Sequence, residues 1–523
     1  MRAERLFSIL GLVDPELIDE AMEKNSAIRR RHAAIWFRYG AIAACCCIIV
    51  CGALYWSVRF MSMGGGSDTA ATTESVAEDT ADGADSGTAG GAEEGNAAQA
   101  PGDGFLSYAG PVLPLTTAEP DTGLTAERTL TLDFAPGEHA DGTAGQWGAG
   151  VTDRYVLTNA TEADVTVTAL YPVTGSLAGL SAMAPQVTVD GSTAPYTLYA
   201  GGYAGTFGDE NDHDGSTYNL AGPYTWKDYA ALVTDAEYLS DALGNGPDMD
   251  IPVIVYDFSQ VTLTGEAEQP ELVVSCTFDP ADTAILSYDF SASNWDDTGI
   301  WRQYGERINP DRWGTPTLIV LGSDIDYTLQ ADYGPDAPAL TAAECTVVRR
   351  ETTLGEALEA LCQNELEERE PASAALLGQY VKAAAELLTE YGPLSDALTD
   401  RYTDGRLDDL LGEALTVDRV LYLAVPVTVP AGGSAEVTAS YWKRPSYDFS
   451  GLGTGRENLQ GFDLLTTAGS ALTFTRQDVS AVHTEGAALV REDLGLDWEN
   501  SAAKTALDLD RPHYGLEVRP LTK

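Results

Sequence analysis

Tyr155-Val156-Leu157-Thr158-Asn159-Ala160-Thr161-Glu162-Ala163-Asp164-Val165-Thr166-Val167-Thr168 sets two short alternating runs around six small or polar residues. A period of two puts successive side chains on opposite faces, so each run reads as a half-buried strand and the whole as two strands around a turn. The signature recurs outward from here. Upstream, Leu130, Leu132 and Phe134 alternate with polar neighbours; downstream, Val187-Thr188-Val189 and Tyr196-Thr197-Leu198 bracket Asp190-Gly191 as a second expected hairpin. Strand-like runs follow at Val253 to Phe258, Leu272 to Phe278, Ile285 to Phe290 and Leu318 to Leu321. Val425, Val427 and Val429 alternate before Pro430-Ala431-Gly432-Gly433, and Ala435, Val437, Ala439 and Tyr441 alternate after it, predicting a third hairpin. Many short strands separated by turn signals predict a β-rich, sandwich-type fold.

Helical period interrupts this pattern from about Thr352 to Leu415. Thr353-Leu354-Gly355-Glu356 has the form of a capping box, and Leu354, Ala357, Leu358 and Leu361 share one helix face. Pro371 suits the start of a second helix with Leu377, Tyr380, Val381, Ala384 and Leu388 inward, and Gly392-Pro393 suits its end. The expected class is therefore α+β: one N-terminal transmembrane helix, then a β-rich ectodomain with a helical insertion. The expected divisions are a cytosolic segment over 1–38, a transmembrane helix over 39–58 and an acidic linker over 59–104. They continue with a β-rich domain over 105–350, the helical insertion over 351–415 and a β-rich region over 416–523. Asp153-Arg154-Tyr155 and Asp418-Arg419-Val420 echo one another, as do Val167 to Pro172 and Val437 to Trp442; two sandwich units with a helical insert would give such an echo, but general β composition is the better explanation at this similarity.

The membrane expectation rests on Tyr39 to Val58, twenty uncharged residues that would make about 30 Å of helix. Trp36, Phe37 and Tyr39 mark one end, and Tyr55, Trp56 and Phe60 the other, where amphipathic rings favour the headgroup zone. Arg29, Arg30, Arg31 and Arg38 precede the run and only Arg59 follows closely, which keeps the N-terminus cytosolic. Ile42-Ala43-Ala44-Cys45 resembles a bacterial lipoprotein processing site, but most of the apolar run lies after Cys45, unlike a cleaved signal. Asp14-Pro15-Glu16 suits a helix start, with Leu17, Ile18, Ala21 and Met22 on one face, either a docking helix for a cytosolic regulator or a membrane-proximal stub.

Gly11-Leu12-Val13-Asp14-Pro15-Glu16-Leu17-Ile18-Asp19-Glu20-Ala21, the Arg cluster and Tyr39-Gly40-Ala41-Ile42-Ala43-Ala44-Cys45 together carry a resemblance. The stretch resembles the leader of uncharacterised single-pass membrane-anchored exported proteins of Gram-positive bacteria, some with an anti-sigma-factor-like N-terminus. The resemblance covers about a tenth of the chain and implies topology: a cytosolic start, one span and an exported remainder. Zinc-binding anti-sigma domains carry His and Cys ligands ahead of the membrane, and here His32 is the only such residue.

Gly64 to Gly104 contains no base and no aromatic residue, too little apolar surface to fold, and reads as an extended tether. Residues 1–59 hold eight Lys or Arg against six acids, and the remainder holds 22 against 74. Such a field repels nucleic acid and anionic headgroups, so nucleic-acid binding is excluded as an expectation; solubility at a surface or adaptation to salt explains it, with cation binding as the alternative.

No motif supplies chemistry or a cofactor site. His139, His213, His483 and His513 stand in no zinc-type spacing, and neither Gly-x-Ser-x-Gly nor a phosphate loop occurs; Gly451 to Arg456 reads as a flexible loop. Ser440 to Lys443 and Ser501 to Lys504 match Ser-x-x-Lys, but an i, i+3 pair on the strand expected at Ser440 faces opposite ways. Glu210, Asp212 and Asp214 before Gly215 imitate half a calcium loop, yet position twelve is Ala221, so an acidic surface turn is expected rather than a metal site. Cys276, Cys345 and Cys362 allow at most one disulfide, of undetermined pairing. Trp295, Trp301, Trp313 and Tyr304 gather near Asn294, Asp296 and Asp297, the composition of a contact surface or of a core.

The expectation is a non-enzymatic, membrane-anchored extracytoplasmic protein that binds an envelope protein or polymer. The alternatives are a single-pass signalling regulator acting through residues 1–38, and an envelope hydrolase with scattered acids.

Overall fold

The computed structural model describes residues 107–135, 137–138, 144–145, 148–203, 237–262, 271–296, 298–307, 314–332, 341–369, 374–395, 404–448, 458–500 and 502–521. The apolar run at 39–58, the cytosolic helix expected near Asp14, the tether, Cys45 and the turn at Glu210, Asp212 and Asp214 lie outside them. So do Pro371, His139, His213, Asp297, Trp313, Ser501 and Gly451 to Arg456. Among the described residues, no helix is long and apolar enough to cross a membrane.

After two-residue strands at Ser107–Tyr108 and Thr116–Thr117, the longer strands in chain order are β1 (Thr125–Asp133), β2 (Ala149–Thr158), β3 (Val165–Gly175), β4 (Gln186–Val189) and β5 (Thr197–Tyr203). After a short helix at Glu237–Leu243 come β6 (Pro252–Thr262), β7 (Glu271–Thr277), β8 (Thr283–Tyr288), β9 (Ala292–Trp295) and β10 (Trp301–Arg307). Then follow β11 (Thr317–Gly322), β12 (Asp326–Asp332) and β13 (Glu344–Thr353). Helices α1 (Leu354–Arg369), α2 (Ala374–Glu390) and α3 (Leu407–Thr416) come next. The chain closes with β14 (Arg419–Val429), β15 (Ser434–Lys443), β16 (Gln460–Leu465), β17 (Thr473–Val482), β18 (Ala487–Glu492) and β19 (His513–Pro520).

The result is β-rich with few helices: four sheets face one another in two sandwiches, and a further five-stranded sheet runs Ser107–Tyr108, Tyr447–Asp448, β16, β19, β18. In the first sandwich, a seven-stranded sheet runs Thr505–Ala506, β17, β1, β2, β15, β4, Ser192–Thr193, and faces a four-stranded sheet of β5, β14, β3 and Thr116–Thr117. Leu130, Val151, Leu157 and Val437 from one sheet meet Val167, Ala169, Leu423 and Val427 from the other in a shared apolar core. Alternation places these residues inward, as the sequence predicts. Around Leu170 and Val420 to Ala424 the alternation disappears, because the second face of the four-stranded sheet is buried too, against Leu113, Tyr447, Leu459 and Leu465.

Pairing across the chain corrects the hairpin expectations. β2 pairs with β1 and β15, whereas β3 pairs with β14, so Asn159 to Asp164 carries the chain from one sheet to the other rather than back along the same sheet. Pro430 to Gly433 does the same between β14 and β15. The two connections stack: Asn159 Nδ2 donates to the Val429 carbonyl at 3.1 Å, and the Gly432 amide donates to the Thr161 carbonyl at 2.9 Å. Asp190-Gly191 does turn a hairpin, but its return strand is Ser192–Thr193, while Thr197–Tyr203 crosses to the other sheet and pairs with β14. Residues 107–203 and 419–521 thus share sheets, although the sequence separates them into the 105–350 and 416–523 stretches. The echoing segments at Val167 and Val437 lie in this one sandwich.

The second sandwich is interposed between those halves. A sheet of β8, β11, β6 and β13 faces one of β9, β10, β7, β12 and Thr341–Ala342. Phe258, Leu272, Val274, Ile285, Leu318 and Val320 fill the space between them. Val253, Val255, Leu286, Ile319 and Leu321 point the other way and are covered by Leu354, Leu358, Tyr380, Leu387 and Leu411 of the helices. The α1 cap forms as expected, with the Glu356 amide donating to Thr353 Oγ1 at 3.2 Å. Helix α2 also ties the sandwiches together. The Ala200 amide donates to Gln379 Oε1 at 2.7 Å and Lys382 Nζ donates to the Ala200 carbonyl at 3.3 Å, so polar side chains occupy backbone groups of the edge strand β5; Lys382 Nζ also donates to the Ala242 carbonyl of the short helix at 3.0 Å.

Candidate binding site at the edge of the second sandwich

Strands β8 and β9 are consecutive in the chain and are the edge strands of the two facing sheets, so the sandwich opens along that side. Asp404-Gly405-Arg406, just ahead of α3, lies across the opening. The Ser287 amide donates to the Gly405 carbonyl at 2.8 Å, and Ser287 bridges Arg406 in parallel register. Arg302 Nη1 donates to the Asp404 carbonyl at 3.2 Å, and the Asp289 amide donates to Asp408 Oδ1 at 2.8 Å. Gly405 has φ +83°, and a Cβ there would sit 2.4 Å from the Ile285 carbonyl oxygen; only glycine lets the segment come so close.

Register decides which side chains enter the opening. Ser287 is opposite Leu318, Tyr304 opposite Val274, and Arg302 opposite Cys276, all core residues, so all three point between the sheets. The Arg302 guanidinium lies over the Phe278 ring at 5.9 Å. At this edge Ser287 Oγ is buried without a protein partner, and the Tyr304 hydroxyl and the Arg302 guanidinium, both pointing between the sheets, interact with one another. Burial pushes the Asp408 carboxyl above the usual range. It also pushes the Tyr304 phenol up, to about 12, against the pull of Arg302.

An apolar platform adjoins the opening. Trp295 is opposite Arg302 and therefore on the same face, yet it is 58% exposed, and Ile300 is 50% exposed. The turn between them is fixed: Thr298 Oγ1 donates to Asp296 Oδ1 at 2.9 Å, the Gly299 amide donates to the Asp296 carbonyl at 3.0 Å, and Gly299 takes φ +69°. That bond from Thr298 holds the Asp296 carboxyl below its usual range.

The aromatic group seen in the sequence is therefore divided. Trp295 is presented to solvent, Trp301 is half-buried, and Tyr304 belongs to the core, where its ring lies 5.5 Å from that of Phe290. Arg302 stood within that stretch without a signal of its own. Ser287, Arg406 and Asp408 had none, because only the crossing of residues 404–406 brings them there.

Other candidates stand apart. Cys276, Cys345 and Cys362 are free thiols, and burial raises the pKa of each, that of Cys276 to about 12. Ser440 and Lys443 occupy opposite faces of β15, as strand geometry requires. His483 Nδ1 contacts Asp133 and His513 Nε2 contacts Asp463, each at 2.7 Å. Among the described residues no three His, Cys, Asp or Glu side chains gather as a metal ion would need.

The first sandwich carries a buried network of its own. Arg128 Nε and Nη2 donate to the Asp153 carboxylate at 2.7–3.1 Å, and the Tyr155 and Tyr171 hydroxyls donate to Asp153 Oδ2 at 2.7 and 3.1 Å. Arg128 Nη1 also donates to the Leu465 carbonyl at 2.8 Å. These charges satisfy one another and are sealed from solvent, so the network holds strands together rather than awaiting a ligand. No known protein-family model matches the chain, and no curated protein matches it.

Proposed function

We propose that this chain is a membrane-anchored extracytoplasmic binding protein, with residues 1–38 in the cytosol, one span at 39–58 and the sandwiches held out on the acidic tether. The observation that carries the location is the uncharged run Tyr39 to Val58, with Arg29, Arg30, Arg31 and Arg38 before it. The acidic excess after it supports a soluble exported part. A non-enzymatic binding role at the cell envelope, toward a protein or a polymer, is supported by the exposed Trp295 and Ile300 at the edge of the second sandwich.

Two measurements test this together. In intact cells, external protease should remove a C-terminal epitope tag and spare an N-terminal one; a protected C-terminal tag would rule out the topology. A photoactivatable residue at Trp295 should capture an envelope component. Capture confined to Leu17, and of a transcription regulator, would replace this reading with signalling through residues 1–38.

A further inference from the structure

We propose that β13 is a pairing edge: two copies of this chain join along it, antiparallel, about a two-fold axis at Val348, making one eight-stranded sheet from two four-stranded ones. The inference goes beyond the binding reading and does not depend on it.

β13 is an outer strand of its sheet, ten residues long, and Thr346 to Thr353 pairs with β6 without a break. On β6 the Phe258 amide donates to the Pro316 carbonyl at 2.9 Å, on the side away from β13. Main-chain groups alternate in direction along a strand, so those of Val253, Val255, Asp257 and Ser259 face β13 and meet Thr352, Arg350, Val348 and Thr346. The Leu354 amide, donating to the Ile251 carbonyl at 2.8 Å, continues the same set. The amides and carbonyls of Val347, Arg349 and Glu351 therefore point outward, and among the described residues nothing bonds to them.

Other sheet edges are protected. Among the described residues they are strands of two to four residues, with three exceptions. β8 is crossed at Gly405, β5 is occupied by Gln379 and Lys382, and β18 is broken by a bulge between Leu489 and Arg491. Short, covered or bulged edges resist pairing, whereas a long regular one invites it. Charged side chains can guard such an edge, but here both arginines lean back over their own sandwich. Arg350 Nε donates to Asp257 of β6 at 3.1 Å, and Arg349 Nη2 pairs with Asp324, just ahead of β12, at 3.0 Å.

The strand that complements this edge is the same strand. An antiparallel mate must present outward main-chain groups at matching positions, and a second copy does. An axis at Arg349, Arg350 or Glu351 would set like charges directly opposite one another, which is unfavourable, and an axis at Val347 would leave Val348 opposite Thr346. An axis at Val348 sets this residue, 49% exposed, against its own counterpart in a non-hydrogen-bonded pair, where side chains come closest. Val347 and Arg349 then exchange main-chain hydrogen bonds with Arg349 and Val347 of the second copy. β8 ends the sheet on the other side, so Trp295 and Ile300 stay exposed in the dimer. The formal charge of −50 on each chain opposes association, and salt, which screens that repulsion, should tighten the dimer.

Sedimentation of the full chain in mild detergent should show monomer passing to dimer as protein concentration rises. Val348→Lys meets Asp257 within its own sheet, so the single copy folds, but it brings two ammonium groups face to face across the axis and should weaken the dimer about tenfold or more. Arg349→Pro removes an outward amide and only exposed ion pairs. It should leave the melting temperature of the monomer nearly unchanged and abolish the dimer. On oxidation, Val348→Cys should give a covalent dimer that neither the unsubstituted chain nor Thr346→Cys gives.

A monomer at every concentration overturns the proposal, as does a dimer that Val348→Lys and Arg349→Pro leave intact. Cross-linking no better through Val348→Cys than through Thr346→Cys overturns the axis at Val348. A monomeric chain whose photoactivatable residue at Val348 captures a different protein in cells overturns self-pairing and assigns the edge to that partner.

Discussion

Lys443 ends β15 on the face that buries Ala439 and Tyr441, and its ammonium donates to the Arg444 carbonyl at 3.0 Å. Burial first, and then the neighbouring Arg444, push its pKa well below the usual lysine range; Asp418 and Asp463 only partly reverse this. The neighbours have partners of their own, Arg444 for Asp418 and His513 for Asp463. Between the lowered folded value and the ordinary value of roughly 10.4, the unfolded chain holds a proton that the native chain has released. Stability attributable to this residue therefore rises with pH across that window, and the cost of burying the charge is full below it. Lys443→Met should stabilise the protein by about 1–3 kcal/mol at pH 6, with a smaller gain at pH 9. Denaturant melts at the two pH values test this, and a gain independent of pH would contradict it.

At the scale of elements, the crossing at Asp404 to Arg406 depends on Gly405 (φ +83°). Gly405→Ala should cost about 1–3 kcal/mol through the left-handed backbone and the clash with the Ile285 carbonyl. It should also speed hydrogen exchange at the Ser287 amide, which loses its acceptor; unchanged protection there would show that the crossing does not depend on glycine. Strand and helix positions were legible because their period is local: Leu354, Ala357, Leu358 and Leu361 line one buried face, and Ala435, Val437, Ala439 and Tyr441 another. Partners were not legible. Asn159 to Asp164 and Pro430 to Gly433 have turn composition, yet an arch between sheets and a hairpin within one sheet give the same alternation. They differ in which strands bond, and for β2 and β3 those partners lie in the far half of the chain. The same separation hid the edge site, because Trp295 and Tyr304 stood out by composition while Arg406 and Asp408 were a hundred residues away. The membrane span, the cytosolic helix and the tether remain expectations from sequence, outside the described residues.

For the molecule as a whole, sheet pairing identifies which pieces are complete. A fragment of residues 248–418 retains both sheets of the second sandwich and the helices that cover Val253, Val255, Leu286, Ile319 and Leu321. It should fold alone and give a dispersed amide spectrum. A fragment of residues 105–350 lacks β14, β15 and β17, and strips those apolar residues of their cover; it should give a collapsed, poorly dispersed spectrum. A well-dispersed spectrum from 105–350 would contradict the shared-sheet account. The interposed sandwich also imposes an order in time on biosynthesis. β3 leaves the ribosome about 240 residues before its partner β14, an interval of roughly ten to fifty seconds at ordinary elongation rates. Throughout that interval Leu170, Tyr171 and Val173 sit in a nascent strand with no neighbour on the β14 side, a template for mispairing with other chains. The protein should accordingly be a demanding client for holding chaperones during synthesis, even though its finished form leaves that strand covered.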